Sequence, residues 1–156
     1  MISFTNKIRS MFDSISHGYD LGNDICSFGL HRYWRKKLLA LVEMKSPVTV
    51  MDICTGTGDL ALRISEVASV SKVWAFDYSQ GMLENAKASK LVSYFRADAQ
   101  HIPVANSVVD LVSIGFGIRN IEGVDQALKE CHRVLAQKGR ILILEFGQSD
   151  SPIINY

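Results

Sequence analysis

From Val48 onward, short runs of β-forming residues alternate with segments of helical period. The runs are VTVMDIC (48–54), KVWAFDY (72–78), VSYFRA (92–97), VVDLVSIGF (108–116) and RILILEF (140–146). Most are apolar at successive positions rather than every second one. A strand with that pattern needs cover on both faces, as in a parallel sheet between helices. The intervening segments DLALRISEVAS (59–69), SQGMLENAKAS (79–89) and VDQALKECHRVLA (124–136) read as helices. In the last, Val124, Ala127, Leu128, Cys131, Val134 and Leu135 share one face. Strand–helix alternation gives right-handed βαβ units and an α/β, Rossmann-like, doubly wound sheet. Five strands in the order 3-2-1-4-5 are expected.

The first 46 residues follow another pattern. Phe4, Ile8, Met11, Phe12 and Ile15 make an apolar helical stripe, and a second helix is expected over LHRYWRKKLLALVEM (30–44). Residues 1–46 are read as a helical cap and 47–156 as the ligand-binding domain. Packing against the sheet is the plain reading of the stripe, with binding to a membrane surface as the alternative.

Composition narrows the function. The 156 residues suffice for one ordinary domain, and 47% are hydrophobic against 21% charged. Seventeen Lys and Arg against sixteen acids leave a formal charge of +1, so nucleic acid is not the expected partner. Cys26, Cys54 and Cys131 are widely spaced, and His17, His31, His101 and His132 lack ligand spacing. No metal site is expected, and the cysteines suit a reducing compartment. With no membrane-length apolar run and no signal-like N-terminus, a cytoplasmic protein is expected.

The chemistry gathers at MDICTGTGDL (51–60), where the first run ends and a helix begins. Ligands of open α/β sheets bind at such carboxyl ends. Gly56, Gly58 and Ala61 satisfy G-x-G-x-x-G/A, and Asp77 lies about twenty residues on, as in nicotinamide-dependent dehydrogenases. The acids weigh against that reading. Asp52 ends the first strand and Asp59 opens the next helix, where a diphosphate would sit. Each would cost a bound diphosphate on the order of 1 kcal/mol. A nucleoside with a cationic tail has the opposite preference. S-adenosylmethionine (SAM) is one: its ribose suits Asp77, and its adenine amino group suits Asp98 in ADAQHIP (97–103). Asp59 alone would be explained as a helix N-terminal acid.

The chain resembles the class I SAM-dependent methyltransferases, and among them the ubiquinone/menaquinone biosynthesis C-methyltransferase family (UbiE/MenG type). The most specific segment is FDSISHGYDLGNDICSFGLHRYWRK, similar to that family's Y-D-x-M-N…S-x-x-x-H-x-x-W pattern. Tyr19, Asp20, Asn23, Ser27, His31 and Trp34 match it, and Gly22 replaces a methionine. GTGDLAL, FDYSQGML and FGIRN are also similar. RVLAQKGRILILEF is similar to the family's R-V-L-K-P-G-G-x-L-x-x-L-E-x-S segment but departs from it at Ala136, Gln137, Lys138 and, just beyond, Gly147. With the strand-end acids, these segments imply a cofactor-binding set of Asp52, Thr55, Gly56, Thr57, Gly58, Asp77, Tyr78, Met82, Asp98, Ala99 and Gly115.

The resemblance implies methyl transfer from SAM to a ring carbon of a polyprenylated quinol, either demethylmenaquinol or a methoxybenzoquinol. Arg119, Asn120 and Tyr19 are the implied catalytic residues. Arg119 is placed to stabilise the quinolate oxygen and Asn120 to hydrogen-bond the second ring oxygen. Bracing of loop carbonyls is the alternative for Arg119, and a helix-start turn for Tyr19, Asp20 and Asn23. A peripheral contact with the inner face of the membrane is expected for such a substrate. Members of the family continue beyond the LEF strand, whereas this chain ends at Tyr156. A SAM-binding fragment without turnover is therefore the second reading, and pairing of the 140–146 edge in a homodimer is expected.

Overall fold

The computed structural model describes residues 10–14, 30–42 and 48–145. Phe4, Ile8, Ile15, Tyr19, Asp20, Asn23 and Ser27 lie outside them. After a helical turn over 10–14 come α1 (Leu30–Val42), β1 (Val48–Ile53), α2 (Asp59–Ser65), β2 (Val70–Asp77), α3 (Gln80–Glu84) and β3 (Val92–Arg96). Then follow β4 (Val109–Gly115), a 3₁₀ turn (Ile118–Asn120), α4 (Val124–Val134) and β5 (Leu135–Leu144). All four strand pairs are parallel, and the order β3-β2-β1-β4-β5 is the one the sequence predicts.

Period-two alternation divides the core. Val48 and Val50 of β1, with Val73 and Ala75 of β2, face Leu60, Ala61 and Ile64 of α2 and Leu38 and Val42 of α1. Met51 and Ile53 point the other way, with Phe76, Val112 and Ile114, toward Cys131 and Val134 of α4. The N-terminal helix α1 thus completes one hydrophobic layer. Asp52 continues the Val48–Val50 row, so a carboxylate stands where an apolar side chain would extend the layer.

Three helices end earlier than the sequence pattern predicts, each for a local reason. α2 stops at Ser65, whose Oγ donates to the Leu62 carbonyl at 2.6 Å. α3 stops at Glu84, because Asn85 Nδ2 donates to the Gly81 carbonyl at 2.7 Å. In both, a side chain takes a carbonyl near the helix end. α4 ends at Val134 rather than Ala136, since Leu135 leaves the helical face to pair with Val109 and open β5. The ladder then jumps from Val109↔Leu135 to Leu111↔Arg140, and Lys138 sits at φ 69°. The residues between these two pairs bulge out of the sheet, and Ala136, Gln137 and Lys138 lie there. β3 and β5 are the sheet edges.

One turn of α1 separates Leu38, 5% exposed, from Leu41, 56% exposed. Leu38→Ala should destabilise by about 2–4 kcal/mol. Leu41→Ala should stay within about 0.5 kcal/mol of wild type. Urea unfolding of both proteins checks the assignment of the buried face.

Candidate functional site

β1, β2 and β4 end on the same side of the sheet, and the loops that follow them enclose one cavity. It holds about 860 Å³ including its open mouth. Ile53, Phe76, Ile102 and Phe116 supply apolar wall. Gly56 comes from the β1 loop, Asp77 and Tyr78 from the end of β2, Asp98 and Ala99 from beyond β3, and Gly115 and Asn120 from the β4 side. Met82 of α3 closes the floor.

The β1 loop is built on Asp52. This carboxylate is 1% exposed and accepts from Thr55 Oγ1 at 2.6 Å and from Ser113 Oγ at 2.5 Å. Burial pushes it up to about 6, against the pull of the two hydroxyls and of the nearby Arg35 guanidinium. With Thr55 so held, its N–H donates to the Phe76 carbonyl at 3.0 Å, and Gly58 N–H returns to the Thr55 carbonyl at 3.0 Å. Gly56 and Gly58 take φ of 59° and 82°, which glycine adopts without strain. A Cβ on Gly58 would also lie 2.4 Å from the Tyr94 hydroxyl. Gly56 N–H is thereby aimed at Asp77, donating to Oδ2 at 2.7 Å, while Ser79 N–H donates to Oδ1 at 2.8 Å. Burial also raises Asp77, and these amides oppose it. Asp98 accepts from the Gln100 amide at 2.9 Å.

The loops from β1 and β4 touch. A Cβ on Gly117 would lie 2.3 Å from that of Cys54. Cys54 and Phe116, both in the cavity wall, occupy the left-handed region at φ 56° and 57°. For side chains of their size this is strained backbone, held by the packing around it. Burial, with Asp77 and Asp52 nearby, pushes the Cys54 thiol well up, so it stays protonated and is no thiolate nucleophile.

Several expected site residues stand elsewhere. Asp59 pairs with Arg35 and, at 3.1 Å, with Arg63. Its charge is compensated by guanidinium groups from α1 and α2 and Asp59 does not line the cavity, which removes it from the argument against a diphosphate. Asp52, Thr55, Thr57 and Gly58 support the loop from below and do not line the cavity. Arg119, half exposed, pairs with Glu145 at the end of β5, outside the wall, whereas Asn120 lines it. Tyr19 lies outside the described residues. Phe12, Ser79, Gln100 and Glu122 line the cavity without having been read from the sequence. Phe12 carried a signal as one position of the N-terminal stripe, and Ser79 and Gln100 lay inside the singled-out segments FDYSQGML and ADAQHIP, whereas Glu122 carried none.

The lining as a whole has three acids, Asp77, Asp98 and Glu122, and no Lys, Arg or His among the described residues. Apolar faces between carboxylates fit a nucleoside whose hydroxyls and amines donate and whose tail is cationic. They do not fit a diphosphate. Among the described residues no cluster of His, Cys, Asp and Glu could hold a metal ion.

Two substitutions check this architecture. An acid raised on folding lends stability at low pH and loses it as pH rises through its folded value. Relative to Asp52→Asn, the wild type should therefore lose up to about 3 kcal/mol of stability between about pH 4 and pH 7. Urea unfolding at several pH values measures the difference. Gly117→Ala should cost about 1–3 kcal/mol through overlap with Cys54. Much of the loss should be recovered in Gly117→Ala/Cys54→Gly, a coupling that a double-mutant cycle reads directly.

Residues 2–156 match the model of the ubiE/COQ5 methyltransferase family. The demethylmenaquinone methyltransferase of Lactiplantibacillus plantarum is 36% identical over 97% of this chain and 67% of its own length. The ubiquinone/menaquinone biosynthesis C-methyltransferase UbiE of Bdellovibrio bacteriovorus is 38% identical over 94% of this chain and 64% of its own. The chain thus spans about two thirds of the length of these curated relatives. Among solved structures, the phosphoethanolamine N-methyltransferase 1 of Haemonchus contortus, in complex with phosphoethanolamine and S-adenosylhomocysteine, superposes with a TM-score of 0.78. It is 21% identical and covers 91% of this chain and 32% of its own, a likeness of fold. With a doubly wound sheet, an acid-lined cavity at its strand ends and a family match over nearly every residue, the chain belongs to the ubiE/COQ5 methyltransferase family.

Proposed function

We propose that the cavity binds SAM and that the protein of which these residues form the cofactor-binding part methylates a ring carbon of a polyprenylated quinol. The observation that carries the reading is the acid-lined, base-free cavity in a chain whose matched relatives are named for menaquinone and ubiquinone methylation. A 2-phytyl-1,4-naphtoquinone methyltransferase of Nostoc punctiforme, 33% identical over 95% of this chain, is a further relative with a prenylated ring in its name.

The residues divide the work simply. Asp77, fixed by the backbone amides of Gly56, Tyr78 and Ser79, keeps lone pairs for the ribose hydroxyls, and Asp98 accepts from the adenine amino group. The bound cofactor supplies an electrophilic methyl group on a cationic sulfur. The acceptor ring is activated by losing to water a phenolic proton whose ordinary pKa is near 10; its carbon then takes the methyl as the methyl–sulfur bond breaks to leave a neutral thioether, and the hydrogen on that carbon departs to water as a proton, restoring the ring. An anionic ring and a cationic donor lose charge together in the transition state, so a dry wall of Phe76, Ile102 and Phe116 favours the transfer. Asn120 reaches the cavity and is assigned the hydrogen bond to a ring oxygen. Arg119 is engaged by Glu145. Its assigned role is therefore to brace the loop that carries Asn120, rather than to stabilise the quinolate directly.

A polyprenyl tail places the acceptor in a bilayer, and a peripheral contact belongs to the proposal. α1 exposes Tyr33 and Trp34 beside Lys36 and Lys37 and contains no acid, a composition suited to the lipid–water interface. No helix among the described residues is long and apolar enough to cross a membrane.

Calorimetry should show SAM binding and negligible binding of NAD; tighter NAD than SAM would sink the reading. Asp77→Ala should weaken SAM by about 2–4 kcal/mol, since charged hydrogen bonds to the ribose and the support of Gly56 are lost together. Turnover is measured separately, with methyl-labelled SAM and a reduced polyprenyl naphthoquinone in vesicles. SAM binding with no labelled quinone would favour the second reading, a SAM-binding unit without turnover.

A further inference from the structure

The helical turn over 10–14 is tied to the cofactor cavity rather than to either hydrophobic layer. Phe12 forms part of the cavity wall. Asp13 Oδ1 accepts from Gly81 N–H at 3.0 Å and from Ser79 Oγ. The fit is close: a Cβ on Gly81 would lie 3.1 Å from the Asp13 Cα and 3.3 Å from its carbonyl oxygen. Met11 and Ser14, on either side, are exposed.

Ser79, 2% exposed, joins this turn to the nucleoside side of the cavity. Its N–H donates to Asp77, its Oγ accepts from Met82 N–H at 3.1 Å, and the same Oγ donates to Asp13. A continuous line of hydrogen bonds therefore runs from Asp77, through Ser79, to Asp13. Anything that steadies Asp77 and Ser79 steadies the seat of Asp13, and Phe12 travels with Asp13.

We propose that Asp13 is a positioning residue that latches the 10–14 turn onto Ser79 and Gly81, so that Phe12 closes one wall of the cofactor cavity and cofactor binding and latch docking reinforce each other. The proposal rests on the reading of the cavity as a SAM site. Linkage makes the effect reciprocal: a docked latch slows cofactor release, and bound cofactor protects the latch. A turn that merely packs would contribute to stability without responding to cofactor.

The test compares wild type, Asp13→Ala, Asp13→Asn and Gly81→Ala. The first substitution removes the acceptor and the second keeps an oxygen for both donors. The third leaves the carboxylate in place but pushes on the Asp13 backbone. SAM dissociation is followed by stopped flow, amide hydrogen exchange over 10–14 with and without SAM, and unfolding without ligand. Dissociation should be about tenfold faster in Asp13→Ala and in Gly81→Ala and close to wild type in Asp13→Asn. Ligand-free unfolding should be nearly unchanged in all. SAM should slow exchange over 10–14 in wild type and much less in Asp13→Ala. Intact SAM binding with equal release rates, or exchange over 10–14 indifferent to SAM, overturns the latch and leaves the proposed function standing. Lower ligand-free stability with unchanged release identifies mere packing and also overturns it. If Asp13→Ala does not fold, wild-type exchange and Gly81→Ala still decide. Failure of wild type to bind SAM overturns the cavity reading and the latch with it.

Discussion

At the end of β1 a carboxylate sits out of reach of water, and two hydroxyls make that tolerable. An unpaired charge in this position would cost several kcal/mol. Thr55 and Ser113 each spend their one donor on Asp52, one from the loop that follows and one from the neighbouring strand. One bond ties the loop back to the strand it leaves, and the other joins the Asp52–Ser113 pair of the β1–β4 register. From that arrangement come the aim of Gly56 at Asp77, the return of Gly58 to Thr55, and the approach of Gly117 to Cys54. The carboxylate organises the cavity end of the sheet without lining the cavity itself.

Charge in the cavity is a separate matter, and it is set by position along the strands. Parallel pairing brings the carboxyl ends of β1, β2 and β4 to one side, so the acids at those ends gather. Asp77 and Asp98 face the ligand space, and Asp52 lies beneath it. Asp59 has the same sequence prominence but a different fate, because Arg35 from α1 and Arg63 one turn along α2 take up its charge. The N-terminal helix therefore has an electrostatic task as well as an apolar one.

Strands, their order and the acids at their ends were legible because each rests on a pattern of residue types along the chain. The apolar doubling of VTVMDIC and VVDLVSIGF reports a sheet covered twice, and Asp77 and Asp98 follow directly from where strands stop. What was not legible depends on single hydrogen bonds or on partners far away in sequence. Ser65 and Asn85 end helices that propensity alone would extend. The left-handed Cys54 and Phe116 have no residue-type signature, since their conformation is imposed by the packing of two loops. The pairing of Arg119 with Glu145 spans 26 residues and could not be told from a substrate contact by sequence. Phe12 was visible as an apolar position in a stripe, but nothing in the pattern distinguishes a residue facing a core from one facing a cavity.

The bond from Ser113 to Asp52 spans 61 residues. While the chain is being made, β1 and β2 can pair long before β4 exists, and Asp52 then keeps its water. Ser113 comes opposite Asp52 only when β4 lies beside β1, so the second hydroxyl that holds this buried carboxylate is in place only once β4 has docked. The Gly56–Asp77 half of the pocket can form early, whereas its Gly115–Asn120 half must wait. A nascent chain therefore carries half of the cavity wall until its fourth strand arrives.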